Sequence, residues 1–124
     1  MEGWFGIIGA IAGAFAGWAL SETSKTISER RKALKKLESA AFMCLDRLLK
    51  IQNANVRGNI KQRDEEIYHL GGDLDRYRDA IAASPKKRKA HWLLYRETIP
   101  FLLEPDVSKL DRLISTYEAH SHVL

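Results

Sequence analysis

The uncharged segment from Gly3 to Ser21 restricts the fold of this chain more than any other feature of its sequence. Nineteen helical residues, each rising about 1.5 Å, measure roughly 28 Å, close to the hydrocarbon thickness of a bilayer. Trp4 and Trp18 lie near the two ends of the segment, where indole rings favour the headgroup boundary. We therefore predict a transmembrane helix over residues 1–21, with these two tryptophans as membrane-interface anchors.

Two other interpretations of this segment stay open. A cleaved signal peptide would begin with basic residues, whereas the only early side-chain charge is Glu2, and no convincing cleavage site precedes Leu20. A helix that is apolar on all sides can also be buried inside a protein. However, the residues that follow position 21 are few for surrounding such a helix completely.

Positive charge follows the predicted span and does not precede it. The first cations of the chain are Lys25, Arg30, Arg31, Lys32, Lys35 and Lys36. The positive-inside rule therefore predicts a single-pass protein of the cell inner membrane, with residues 22–124 in the cytoplasm. Cys44 is the only cysteine, so no intrachain disulfide can form, and this suits a reducing compartment.

Glycines of the predicted span share one helical face, while bulky residues such as Ile8 and Phe15 share the opposite face. The glycine face is made by Gly6, Gly9, Gly13 and Gly17. In lipid, small residues at four-residue spacing allow helix backbones to pack closely. The pattern predicts a homo-oligomer assembled through these glycines. The stretch Gly3–Gly13 also resembles viral fusion peptides in composition, which implies a membrane-seeking segment.

Apolar residues recur at seven-residue spacing after Ser24. One set is Ile27, Leu34, Ala41 and Leu48, with Leu37, Cys44 and Ile51 between them. A second set is Ile60, Ile67, Leu74 and Ile81, with Leu70 and Tyr77 between them. These patterns predict amphipathic helices over residues 22–56 and 60–83. Gly58 with Asn59 is a plausible stop between them, and Gly71-Gly72 is a weak point in the second helix.

Two further helices are predicted in the last third of the chain. Ser84-Pro85 resembles a helix start and predicts a helix to Glu104. Its expected core residues are Trp92, Leu93, Ile99, Leu102 and Leu103. Pro105-Asp106 predicts a fourth helix, whose apolar stripe is Val107, Leu110, Leu113, Ile114 and Tyr117. No segment alternates with period two, so the predicted fold is all-α: one transmembrane helix and a small bundle of about four cytoplasmic helices.

The densest basic run predicts contact with an anionic partner. It consists of Lys86, Lys87, Arg88 and Lys89. Trp92 and Tyr95 follow closely, so phosphates or bases are candidate ligands. A solvated loop is the alternative interpretation. Cations at a helix N-terminus conflict with the positive end of the helix dipole, and this conflict favours a functional role.

Arg63 and His69 fit the Arg-x(4–6)-His pattern, and an anchored helical bundle with this pattern resembles HEPN ribonucleases. The resemblance implies that the pair would act on RNA. However, with ten arginines and four histidines in the chain, about one such match is expected by chance. Because Glu65 and Glu66 would repel an RNA backbone, we predict a solvated helix face instead.

Further enzyme motifs are missing from the sequence. His120 and His122 alone are too few to hold a metal ion, and neither a glycine-rich phosphate loop nor a Cys-x-x-Cys motif occurs. We therefore expect no catalytic residues, no metal and no cofactor.

The sequence favours a small membrane-anchored homo-oligomer that acts on or at the lipid bilayer. Pore formation or membrane disruption, as in anti-phage defence, would suit the glycine-faced helix. The alternative is a membrane-tethered module that recruits a protein or a nucleic acid through its basic helical domain.

Overall fold

The computed structural model describes the backbone of residues 12–84, 86 and 88–120, with side chains from Ile27 onward. Within these residues the chain is all-helical, with four α-helices and no strand. The helices are α1 (Ala12–Val56), α2 (Ile60–Ala83), α3 (Arg88–Leu103) and α4 (Leu110–Ala119), with a 3-10 turn (Val107–Lys109) before α4. The predicted all-α class and a set of four helices are thereby confirmed, with the first helix beginning at Ala12 instead of the predicted residue 22.

The predicted membrane span falls largely outside the described residues, which exclude Trp4, Gly6 and Gly9. Gly13, Gly17 and Trp18 belong to the first turns of α1, where only the backbone is described. Among the helices of the described part, none has the length and apolar character needed to cross a bilayer. The transmembrane helix over residues 1–21 therefore stays a prediction.

The α1–α2 turn forms where the sequence predicts it. Gly58 has φ 73°, a left-handed conformation that glycine adopts without steric penalty. The Asn59 N–H donates to the Ala54 carbonyl at 2.9 Å, and the Asn59 side chain accepts from the Gln62 N–H at 3.2 Å. Asn59 is therefore the N-cap of α2, which continues through Gly71-Gly72 to Ala83 without a break.

The predicted start of α3 at Ser84-Pro85 is wrong. Ser84 is instead the C-cap of α2, with its N–H donating to the Ile81 carbonyl at 3.2 Å. Its hydroxyl donates to the Lys86 carbonyl at 3.0 Å, so it closes a turn instead of capping a helix. The chain turns before it can resume a helix, and α3 begins at Arg88.

The described residues divide into two units between Lys32 and Ala33. The hydrophobic core lies in the unit that begins at Ala33. It contains most of the predicted heptad positions of α1 and α2 and most of the predicted apolar stripe of α4. Its fully buried apolar residues include Leu37, Ala41, Cys44, Leu48, Ile51, Leu70, Tyr77, Ile81 and Tyr117. The outermost heptad positions Ile27 and Ile60 are exposed.

An ion-pair cluster joins α1 to α2. The Asp73 carboxylate is fully buried and accepts from Arg47 Nε at 2.7 Å and from Arg76 Nη2 at 2.8 Å. Arg47 also pairs with Glu66. The hydrogen bond to Asp73 raises the pKa of Arg47, which therefore stays charged. A buried carboxylate is costly unless it is paired, so removing Arg47 would leave Asp73 with only Arg76 as an ion-pair partner among those described.

Candidate functional site

The basic run lies in the loop where α2 ends and α3 begins. Lys86 and Lys89 are exposed, and Lys87 is outside the described residues. The Arg88 guanidinium donates to the carbonyls of Ile81 at 3.3 Å and Ala82 at 3.0 Å. These carbonyls form the negative C-terminal end of α2, where cations are stabilising. Arg88 thus stabilises the end of α2, which accounts for one of the cations at the start of α3.

The buried face of α3 differs from the predicted one. Its buried residues are His91, Leu94, Thr98 and Phe101. The predicted core residues Trp92, Leu93, Ile99 and Leu102 are only partly buried, and Leu103 is 76% exposed. The sequence pattern failed here because α3 has apolar residues around most of its circumference, while two polar residues are directed inward.

Hydrogen bonds explain why polar side chains occupy the core. His91 Nδ1 lies 2.7 Å from the Tyr77 hydroxyl. The Thr98 hydroxyl donates to the Leu94 carbonyl at 2.7 Å and lies 2.6 Å from the Tyr117 hydroxyl. Because the Thr98 proton is already used, Tyr117 must donate to Thr98. His91 Nδ1 and the Thr98 hydroxyl each gain a partner that an aliphatic residue would not offer, so these bonds favour the inward orientation of this side of α3.

The outward face of α3 is the first candidate site. It consists of Lys89, Trp92, Leu93, Arg96, Pro100 and Leu103, in which every step is of three or four residues except the step from Trp92 to its neighbour Leu93. Such spacing places all six on one side of a helix. Lys89 and Arg96 are exposed, and neither forms an ion pair within the described part of the chain. The face therefore combines unpaired positive charge with apolar surface.

An apolar stripe on α1 is the second candidate site. Phe42, Leu49 and Val56 recur every seven residues and are 63%, 43% and 79% exposed. We call these three residues the outer stripe. The sequence analysis missed it because the heptad positions of the core lie beside it on the same helix. Its own seven-residue spacing is the signal that would have revealed it.

The buried titratable groups of the core are chemically inert. Burial raises the pKa of the Cys44 thiol to about 12, so at neutral pH the thiol stays protonated and is a poor nucleophile. Burial also raises the pKa values of Tyr77 and Tyr117. None of these groups is accessible to a substrate in the folded chain.

Arg63 and His69 are not brought together. Six residues of helix separate them by about 9 Å along the axis and about 120° around it. The Arg63 guanidinium donates to Asn55 and to Asp64, each at 3.3 Å, whereas His69 is exposed beside Tyr68. The paired arrangement that the HEPN resemblance implies is therefore not formed between these two residues.

Ligand sites of other kinds are not evident in the described residues. No cluster of three potential metal ligands occurs there. His120 Nδ1 lies 2.8 Å from the Thr116 carbonyl, and His122 is outside the described range. A groove of about 350 Å³ beside α3 and α4 carries charges of both signs, from Glu97, Glu104, Asp106, Lys109 and Arg112.

Neither a protein-family model, nor a curated protein, nor a solved structure matches this chain. Its function is therefore argued from its own residues.

Proposed function

We propose that the chain is a membrane-anchored homo-oligomer that acts on or at the lipid bilayer of the cell inner membrane, with residues 22–124 in the cytoplasm. Pore formation or membrane disruption is the activity that best suits such an assembly. The outer stripe of α1 is the single structural observation that carries the oligomeric part of this proposal. The uncharged, glycine-faced segment carries the membrane part.

The outer stripe favours a helix of a second copy as its partner. Residues repeating every seven positions align with a neighbouring helix in a coiled coil, whereas a flat surface would not require this period. Leu45 lies between the outer stripe and the core and packs partly against the core. Covering Phe42, Leu49 and Val56 would extend that packing outward. Complete burial of a fully exposed side chain of this kind contributes about 1.5–3 kcal/mol, and each of the three would contribute in proportion to its exposed fraction.

A second candidate function is a membrane-tethered module that recruits a protein or a nucleic acid. The observation that favours it is the positive charge of Lys86, Lys89 and Arg96, which are exposed and lack ion-pair partners within the described residues. Such a module would bind its partner without changing the permeability of the membrane.

The oligomeric mass of the full chain in mild detergent tests the proposal. Leu49→Gln places an amide in the outer stripe and should lower the mass, because a buried amide without a partner opposes association. Met43→Gln is the matched control, because Met43 is 45% exposed, close to the 43% of Leu49, and lies elsewhere around α1. Equal masses for the wild type and both variants would exclude the outer stripe as an interface.

A second pair of variants extends the same experiment to the predicted span. Gly13→Leu should lower the mass by holding neighbouring backbones apart, whereas Ile8→Leu on the opposite face should leave it unchanged. Cells that express Gly13→Leu should therefore depolarise less than cells that express the wild type, in parallel with the smaller oligomeric mass. A small, stable assembly that leaves the membrane potential unchanged would favour the recruiting module instead.

A further inference from the structure

The outward face of α3 has a composition typical of helices that lie at a membrane surface. Trp92, Leu93 and Leu103 supply apolar surface, and Lys89 and Arg96 supply charge. Indoles and aliphatic side chains favour the boundary between headgroups and acyl chains, and cations on the same helix attract anionic headgroups. Of the residues expected in the core, Leu103 is 76% exposed, whereas Trp92 and Leu93 are partly exposed and Trp92 also packs against the core.

The distribution of charge indicates a partner with negative charge. Lys86 precedes the helix, and Lys89 and Arg96 follow at seven-residue spacing. Glu97 and Glu104 line the neighbouring groove instead. Pro100 lines the same groove, so these two carboxylates border the face, whose own charged residues are the cations Lys89 and Arg96. An anionic surface complements those two cations.

A lipid surface fits this face better than a nucleic acid does. Recognition of bases depends mainly on aromatic rings that stack, and Trp92 is the only aromatic residue among the six of the face. Leu93, Pro100 and the exposed Leu103 would gain little from contact with phosphates and sugars. In a headgroup layer the same side chains become shielded from water.

We propose that the outward face of α3 docks on anionic phospholipid headgroups, with Trp92 at the interface and Lys89 and Arg96 bound to phosphates. This inference deepens the proposed function and rests on it in choosing a bilayer as the partner. Docking holds the helical unit against the membrane, in addition to the predicted anchor.

Fluorescence of Trp92 in the full chain tests the proposal. The chain has three tryptophans, so Trp4→Phe with Trp18→Phe leaves Trp92 as the only indole. The protein is reconstituted in phosphatidylcholine vesicles with or without phosphatidylglycerol, and headgroup-proximal brominated lipid serves as the quencher. We expect quenching in the anionic vesicles that is lost in pure phosphatidylcholine and in high salt.

Neutralising the cations of the face should undock it. Each cation near an anionic surface contributes about 1 kcal/mol, or about fivefold, so Lys89→Gln with Arg96→Gln should lower the docked-to-undocked ratio about 25-fold. The control is Arg57→Gln with Lys61→Gln, an equal loss of charge at exposed positions near the α1–α2 turn. Circular dichroism confirms that both double variants keep their helices.

Three results would overturn the inference. Trp92 that is not quenched in anionic vesicles, or is quenched equally in pure phosphatidylcholine, shows that it does not dock on anionic headgroups. Equal effects of the two double variants show that only net charge matters. Trp92 that responds to a single-stranded oligonucleotide, while vesicles leave it unchanged, assigns the face to nucleic acid.

Carbonate extraction distinguishes failure of this inference from failure of the proposed function. A chain that resists extraction while Trp92 stays unquenched is anchored but not docked. A chain that carbonate removes, although Trp92 is quenched in anionic vesicles before extraction, docks without a transmembrane anchor.

Discussion

The Tyr117 hydroxyl shows how much one hydrogen bond determines in the core of this chain. It is buried and lies 2.6 Å from Thr98 Oγ1, whose own proton is donated to the Leu94 carbonyl. A buried phenol without a partner costs about 1–3 kcal/mol, more than the net contribution of an ordinary hydrogen bond. Thr98 therefore stabilises the bundle mainly by providing an acceptor for Tyr117.

Thr98→Val should lower the free energy of unfolding by about 1–3 kcal/mol, because valine keeps the shape of threonine but leaves Tyr117 without its acceptor. Adding Tyr117→Phe should restore much of this loss, because the unsatisfied hydroxyl is then absent. Urea unfolding of the single and double variants measures both effects. A double variant that is destabilised by the sum of two single losses would contradict the hydrogen-bond explanation.

The inward orientation of His91 and Thr98 was not predictable from hydrophobic periodicity. Both residues interrupt an apolar pattern, and their partners Tyr77 and Tyr117 are 14 and 19 residues away in sequence. Pattern analysis assigns apolar residues to the core, so it selected Trp92 and Leu103. Only the tertiary structure shows which hydroxyls and ring nitrogens meet.

At the scale of the helices, glycines have opposite effects at the turn and inside α2. Gly58 has φ 73°, which side-chain-bearing residues adopt with a steric penalty. Gly72 has ordinary helical surroundings, and a Cβ there would meet only the end of the Arg76 side chain at 4.0 Å. One glycine is required by the backbone, whereas the other weakens its helix.

Alanine at these two glycines should change stability in opposite directions. Gly58→Ala should lower the free energy of unfolding by about 1 kcal/mol. Gly72→Ala should raise it by about 0.5–1 kcal/mol, because alanine restricts the unfolded chain and suits a helix. Thermal unfolding followed by circular dichroism compares the two. A loss of stability in both variants would show that Gly72 has a packing role.

Helix ends were predictable where the residues at the boundary have one common structural role. Gly58 with Asn59 gave the end of α1 and the start of α2 because glycine and an asparagine cap each satisfy a specific backbone requirement. Ser84-Pro85 is compatible with two structures, since serine is common in turns as well as at helix N-caps. In the structure Ser84 closes a turn, so the start of α3 was predicted too early in the sequence.

For the folded unit as a whole, buried protons link stability to alkaline pH. Burial raises the pKa of Cys44 from an ordinary value of 9.0 to about 12, and it raises the pKa values of Tyr77 and Tyr117 as well. The unfolded chain therefore loses these protons at lower pH than the folded chain. Their contribution to stability is complete below about pH 9 and is lost as the pH rises toward 12.

The free energy of unfolding should fall between about pH 8 and about pH 10, with Cys44 contributing about 1 kcal/mol of the loss. Cys44→Ala should flatten this dependence, even if the variant is less stable throughout. Tyr68→Phe is the matched control at an exposed position. Urea titrations at the two pH values provide the slopes, and an unaltered slope in Cys44→Ala would contradict the assignment.

The candidate surfaces were predictable only in part. The basic run was identified from its charge, but the capping role of Arg88 depends on the carbonyls of Ile81 and Ala82, which only the folded loop brings near. The outer stripe was overlooked because a sequence does not show which of two neighbouring stripes a bundle covers. Burial in the folded unit separates them.

The two inward polar residues of α3 also restrict how that helix can rotate. A helix with apolar residues on nearly every side can pack in several orientations about its axis with similar free energy, so apolar packing alone would not select one of them. His91 and Thr98 select one setting, since any roll about the axis would separate them from Tyr77 and Tyr117. Replacing His91 and Thr98 with leucine would make the core more apolar but would remove the hydrogen bonds that fix the rotation of α3. A roll of α3 would then bury the exposed Leu103, so the inward His91 and Thr98 are what keep Leu103, Lys89 and Arg96 at the surface.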